Sequence, residues 1–579
     1  MTGSLRLLLE DFLGLMREEG ELDVFLPLLM SAMGHEVVYR AQKGPRQYGV
    51  DIVSVGTDDD GRRKLFLWLV KCGDIGRQDW DTGPQAIRQS INDVGDIYLR
   101  SHVAPEHKRL GKKLFVVTNG DFKASLNETI AAFLDSWCLQ KKVDAEQVNG
   151  SKLAAWTEKH LLDEYILPSD SRVLLRRMLA NVTSPDLCIL VGRRLIDQIL
   201  ECAVAPAKSN AAATKKLLTG LRGMRTALQV LFMWSINEDN LLAAYMLNQY
   251  AVLATWSRLH QRLNTGDAKL SQEFGQLLGG LSVVAETYHQ RMDDYYVTQD
   301  SFANALPDSL LVSRTVFDEL GRMGQQGCLL AFQGAASGIQ VVRDGALNYA
   351  RRIKALLQSH SCSALPAFDY QSSHIHTALL LLVFAGERET AEEWLSRLCQ
   401  RLHYVTGVRK FMPMSAIFED ALAVRDGEEE MSDEFCKTST LLPIMFIWTA
   451  ALGMRDAYDF LRSEVLPHLK GTTPNLWSSE SGFDDAVGSG QALHEHGVGE
   501  SVMQFPEEPG EFLQAMSVGL AGIDGIEKST WYQLRASFIP LLAALHWQSQ
   551  LPREMLARQT VAFADTAPAD ISWPAATAC

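Results

Sequence analysis

Hydrophobic and polar positions along this chain follow two different rhythms. Up to about residue 165, short β-branched and apolar runs alternate with helical patterns. Beyond residue 167, almost every apolar stretch repeats at helical spacing. The first part opens with two helical patterns between residues 5 and 33, broken at Glu19-Gly20 and closed at Gly34, a glycine suited to a helix C-cap. HEVVYR (35–40) reads as a short strand. Residues 47–73, QYGVDIVSVGTDDDGRRKLFLWLVKCG, predict a β-hairpin: a β-branched run, an Asp-rich turn closing at Asp60-Gly61, and a return strand to Cys72.

A helix is expected from Pro84, since proline suits a first helical turn, and it runs to about His102. A basic loop leads to KLFVVT (113–118), a buried strand closed by Asn119-Gly120, then to helices over 124–139 and 153–162. The order α-β-β-β-α-β-α predicts an α/β module with a mixed sheet over residues 1–165. Two helical domains are expected after it, 166–360 and 361–579. The second contains two stretches reading helix, glycine turn, amphipathic helix, around Gly386 and Gly453, as in αα-hairpins of tetratricopeptide type. Residues 471–510, rich in Gly, Ser and acids, predict a long loop, and the tail after residue 567 reads as disordered.

Composition narrows the class. At 579 residues, with 47% hydrophobic and 22% charged positions, the chain suits several soluble domains. The longest apolar runs, such as TALLLLVFA from Thr377, fall far short of the roughly 20 residues that cross a bilayer, so no membrane association is expected. Nine scattered cysteines without a CxxC pair suit a reduced, cytoplasmic compartment. The net charge of −15 argues against general nucleic-acid stickiness. It is uneven, however: residues 36–123 carry 15 Lys+Arg against 12 Asp+Glu, or +3, which leaves −18 for the remainder. A locally basic module on an acidic body is compatible with DNA contact through one face.

Asp51 lies inside the first strand of the hairpin and Lys71 near the end of the second. Charges within apolar strands call for a partner or a task. Around these two residues the sequence resembles the PD-(D/E)xK nuclease superfamily, in its Mrr-like restriction endonuclease branch. The resemblance covers residues 21–162: the Gly34-His35-Glu36-Val37 turn, GVDIV around Asp51, LVK ending at Lys71, a Gln-bearing helix, LFVVTNG, and VNGSKLAAW from Val148. It implies a restriction-endonuclease-like fold and a DNA endonuclease dependent on Mg²⁺ or Mn²⁺. Asp51 would hold the cation and Lys71 would orient the attacking water and stabilise charge on the phosphorane. Gln85, Arg88 and Gln89 would face DNA. Such fusions resemble bacterial antiphage or anti-plasmid effectors, in which the helical body serves regulation, a second copy of the chain, or a protein partner from the same defence system.

The chain departs from the family at Leu69, two residues before the lysine, where an acid or Gln is usual and where Leu cannot bind a metal. Glu21 on the first helix and Glu36 on the preceding strand are the substitutes the resemblance implies. The alternatives are a catalytically inactive nucleic-acid-binding or sensor module, and an Asp51–Lys71 ion pair that only fixes strand register. Glu21 also reads as a helix-dipole acid, and the glutamines as a solvated face. Two His-x-His pairs, His374/His376 and His494/His496, are poor metal candidates, the first because i,i+2 residues do not share a helix face. No P-loop, GxGxxG or GxSxG occurs.

Overall fold

The computed structural model describes residues 6, 9–10, 13–14, 16, 22–40, 48–82, 86–161, 169–204, 211–408, 418–428, 433–469, 471–479, 482–495, 497–500, 503–521 and 529–556. The chain folds as two compact units, Met1–Ala244 and Tyr245–Cys579. The first is built on a five-stranded mixed sheet in the order β1-β2-β3-β4-β5. Its strands are β1 (Glu36–Arg40), β2 (Ile52–Thr57), β3 (Arg63–Lys71), β4 (Gly111–Thr118) and β5 (Asp144–Val148). β2 is antiparallel to β1 and β3, whereas β3, β4 and β5 run parallel. Parallel neighbours need a crossover, and helices supply both.

Helix α1 (Asp23–Ala32) precedes the sheet. Two helices, α2 (Arg77–Asp81) and α3 (Ile87–Asp93), follow β3; α4 (Ala124–Lys141) follows β4 and α5 (Gly150–Leu161) follows β5. Period-2 alternation sorts the strand residues onto two covered faces. Leu65, Leu67 and Leu69 of β3 pack with Ile87 and Ile91 of α3 and Ile130 of α4. The alternate residues Phe66 and Trp68 face the other way, where His35 stacks on Phe66 at 4.5 Å and Phe115 on Trp68 at 4.4 Å. Trp156 of α5 closes this layer edge-on to Trp68 and Phe115. Three further helices, α6 (Ser169–Ala180), α7 (Pro185–Val204) and α8 (Ala211–Asn237), complete the unit.

The hairpin and the KLFVVT strand form where the pattern put them. β5 was missed. DAEQV carries two acids and a Gln and is mostly half-buried, as an edge strand permits.

The second unit is helical. Its core helices include α9 (Leu242–Asn264), which begins three residues before the division, α10 (Ala268–Val297), α11 (Ser309–Ser337) and α12 (Gln340–Ser359). Both helix–glycine–helix segments form: α13 (Gln371–Phe384) turns at Gly386 (φ +77°) into α14 (Arg388–His403), and α15 (Leu441–Ala451) turns at Gly453 (φ +68°) into α16 (Arg455–Phe460). α13 and α15 are buried on every side. The start of α15 is satisfied by Asp369, whose carboxylate accepts from Ser439 Oγ and from the Thr440 and Leu441 amides.

Residues 471–510 are a correction to the sequence reading. Instead of one long loop they include paired strands, β6 (Leu476–Ser479) with β7 (Gly497–Glu500), and short helices at Phe483–Ala486 and Gly490–Glu495. Buried Phe483 and Val487 anchor them, and the Asp484 carboxylate accepts from Trp256 Nε1 and the Thr530 and Trp531 amides. Residues beyond 556, including the tail read as disordered, lie outside the described residues.

Candidate functional site

β2 and β3 bring Asp51 and Lys71 to the same end of the hairpin. Ile52 pairs with Trp68, so the chain just before β2 lies against the last residues of β3. The Asp51 amide donates to the Trp68 carbonyl at 2.9 Å, and Asp51 Oδ2 accepts from the Val70 amide at 2.8 Å. A side-chain oxygen thus closes the ladder one residue before Lys71. The bond orients the carboxylate, much as outer-shell hydrogen bonds orient metal-ligating acids. Lys71 ends β3, shares the alternation of Leu65, Leu67 and Leu69, and pairs with Thr118 of β4. Both Asp51 and Lys71 are half-buried.

The turn leading into Asp51 is held against α3. Gly49 has φ +78°, and a Cβ there would lie 2.1 Å from the Ser90 carbonyl oxygen, so only glycine admits this approach. The Tyr48 ring stacks on His102 at 4.7 Å. The same helix carries Arg88 and Gln89, both exposed. Arg88 is paired with Asp81 at 3.1 Å and lies 5.1 Å from the Phe133 ring centroid. Gln85 lies outside the described residues, as does Glu21.

Glu36 is not brought to this site. It pairs with Val55, four residues along β2 from Asp51, or roughly 13 Å at ~3.3 Å per residue. Its side chain is exposed and faces Arg63 at 3.5 Å. Leu69 is 1% exposed within the apolar cluster. Of the acids the resemblance implies as ligands, the described residues therefore place only Asp51 at this end of the hairpin. Among the described residues no group of three or more His, Cys, Asp or Glu is arranged to hold a metal ion. His374 instead faces Asp318 at 3.4 Å, and His376 Nδ1 accepts from Trp448 Nε1 at 3.1 Å, both inside the helical core. His494 lies on a short helix, and His496 is outside the described residues.

The opposite end of the sheet carries a charged network that the sequence reading passed over as a polar turn. Asp58 accepts from Lys64 at 2.7 Å and from Lys113 at 3.0 Å. Lys64 also meets Asp60 at 3.0 Å and Asp144 at 2.9 Å, and Lys113 meets Glu146 at 2.8 Å. Lys152 pairs with Glu146 in turn. Burial pushes the Asp58 carboxyl up, but hydrogen bonds from Lys64 and Lys113 outweigh it and hold the group at about 2. Lys64 is raised, first by Asp58 and then by Asp144. Nearby, burial lowers the pKa of His35, whose Nδ1 lies 3.2 Å from Ser54 Oγ; the same hydroxyl accepts from Trp68 Nε1. No spacing rule could have found this cluster, because its charges come from the β2–β3 turn, from β3, β4 and β5, and from α5.

No helix among the described residues is long and apolar enough to cross a membrane. Comparison of the chain with protein-family models, with curated proteins and with solved structures returned no match.

Proposed function

We propose that the first unit is a nuclease-like module that acts on the phosphodiester backbone of DNA, with Asp51 and Lys71 as its working pair. The observation that carries this reading is the Val70 amide bond, which fixes the Asp51 carboxylate beside the end of the lysine strand. The element order, with a helix before β1 and helical crossovers after β3 and β4, is the α-β-β-β-α-β-α order read from the sequence with one more strand, β5, and its helix added. Asp51 and Glu21 are the residues that would hold Mg²⁺ or Mn²⁺. A bound dication there supplies charge neutralisation at the phosphate. Lys71 places an ammonium against the charge that builds on the phosphoryl oxygens, and buried Leu69 beneath it excludes water from the sheet side. Arg88 and Gln89 present the exposed side of α3 to the backbone of the substrate.

The second unit belongs to the acidic remainder of the chain, and phosphate repels that charge. We assign it to a protein partner or a second copy of the chain, in keeping with a defence effector acting on foreign DNA.

Plasmid nicking in Mg²⁺ and in Mn²⁺ by the whole chain, Asp51→Ala, Lys71→Ala and Glu21→Ala tests this. Cutting by the wild type that each substitution lowers about a hundredfold or more supports the reading. Leu69 favours a second reading, a module that grips DNA without cutting it. DNA binding with no nicking in either cation would establish that one instead.

A further inference from the structure

We propose that Asn119 is a positioning residue for Lys71: its carboxamide locks the chain that follows β3 to the N-terminal segment and so sets where the Lys71 ammonium stands. The inference rests on the proposed role of Lys71, but its geometry does not. Lys71 pairs with Thr118, so Asn119 stands one residue beyond the lysine's neighbour, and it is only 3% exposed. Its Oδ1 accepts from the Gly73 amide at 2.7 Å. Its Nδ2 donates to two carbonyls of the N-terminal segment, Leu13 at 2.7 Å and Met16 at 2.8 Å. Cys72 Sγ donates to the same Met16 carbonyl at 3.1 Å.

The two residues after Lys71 are thereby held from both sides. Thr118 Oγ1 donates to the Gly73 carbonyl and accepts from the Gly120 amide at 3.2 Å. The turns also touch: a Cβ on Gly120 would lie 2.5 Å from the Gly73 carbonyl carbon. Lysine carries its charge on four rotatable carbons, so the backbone sets the point from which the ammonium reaches, and a shift of that point moves its whole range. One carboxamide uses both donors and an acceptor to join three segments, and no shorter polar residue spans them. Met16 is five positions before Glu21, so the clamp ties the chain leading to the second proposed carboxylate to the end of the lysine strand.

The test uses the whole chain with Asn119→Asp, which keeps the acceptor but sets a carboxylate against two carbonyls, and with Asn119→Ala. Mass spectrometry follows alkylation of Cys72, an exposed thiol, and the pH profile of Lys71 acylation; nicking kcat and the Kd for DNA are measured alongside. We expect Cys72 to react about tenfold faster, the Lys71 profile to shift, and kcat to fall about tenfold or more with Kd within about twofold, since small displacements of a working group cost rate more than binding. If Asn119→Asp does not fold, Asn119→Ala supplies the same readouts. A folded variant with Cys72 and Lys71 reactivity and kcat all unchanged overturns the proposal. If the wild type does not nick, the cleavage reading fails by itself and the two reactivities decide: changed reactivity supports the clamp, and unchanged reactivity overturns it.

Discussion

Asp58→Asn leaves two lysines without their shared carboxylate and should loosen the sheet from one end. Lys64 and Lys113 are 11% and 12% exposed and Asp58 is 10% exposed, so water cannot readily replace the lost partner. A carboxyl held at about 2 instead of an ordinary 3.8 corresponds to roughly 2.4 kcal/mol of differential interaction. That figure is a ceiling. Asp60 and Asp144, the outer members, are 42% and 65% exposed and admit solvent, and Glu146 still holds Lys113, so about 1–2 kcal/mol is expected after screening. Because the folded-state pKa lies below the unfolded one, this stabilisation is complete above pH 3.8 and disappears as pH falls from 3.8 to about 2. Hydrogen-exchange mass spectrometry of β2–β4 peptides, compared at pH 7 and pH 3, reads both the loss and its pH dependence in this unit alone. A loss below about 0.3 kcal/mol at neutral pH, no larger than an exposed pair gives, would refute the network's role.

Other substitutions probe different parts of the account. Leu69→Glu, which writes an acid where the nuclease family has one, should destabilise the first unit by about 3 kcal/mol or more, because the site is dry and apolar; a variant as stable as the wild type would contradict that packing. Gly56→Ala sets a methyl 2.4 Å from the His35 ring and should cost about 2 kcal/mol, read by exchange in β1 and β2; a neutral effect would mean that β1 yields freely. Burial lowers the His35 pKa, so stability is full above pH 6.5 and declines as pH falls below it, and His35→Gln should flatten that limb of a pH-stability profile. In the second unit, Arg352→Ala breaks paired bonds of 2.8–3.0 Å to Glu286 and Asp293 and should cost about 2 kcal/mol in denaturant unfolding of that unit, with exchange in β2–β4 unchanged.

Much of the architecture was legible because one physical signal dominated it. The hairpin announced itself through β-branched and apolar runs around an Asp-Gly turn, and the helical half through its 3.6-residue rhythm. β5 was hidden because an edge strand needs little apolar surface, and DAEQV has little. The segment from 471 to 510 was hidden because its buried side chains, among them Leu476, Phe483, Asp484, Val487 and Leu493, are scattered singly through a polar stretch. Of the site, the joint position of Asp51 and Lys71 was readable from pairing alone. The fate of Glu36 was not, since register, set by the whole hairpin, decides which end of the strand an acid occupies. In the sequence Asn119 reads only as a strand terminator; its bonds run to residues 13, 16 and 73, and no local pattern encodes such a reach.

The central claim is that Asp51 is a cation-holding carboxylate and not merely the cap of Val70. Titration of Mn²⁺ into the whole chain, followed by loss of the free-ion paramagnetic resonance signal, addresses it without reference to any substrate. The account predicts one Mn²⁺ site that Asp51→Asn removes while leaving the circular dichroism spectrum unchanged. A wild type that takes up no Mn²⁺, or an Asp51→Asn chain that binds it equally well, would contradict it.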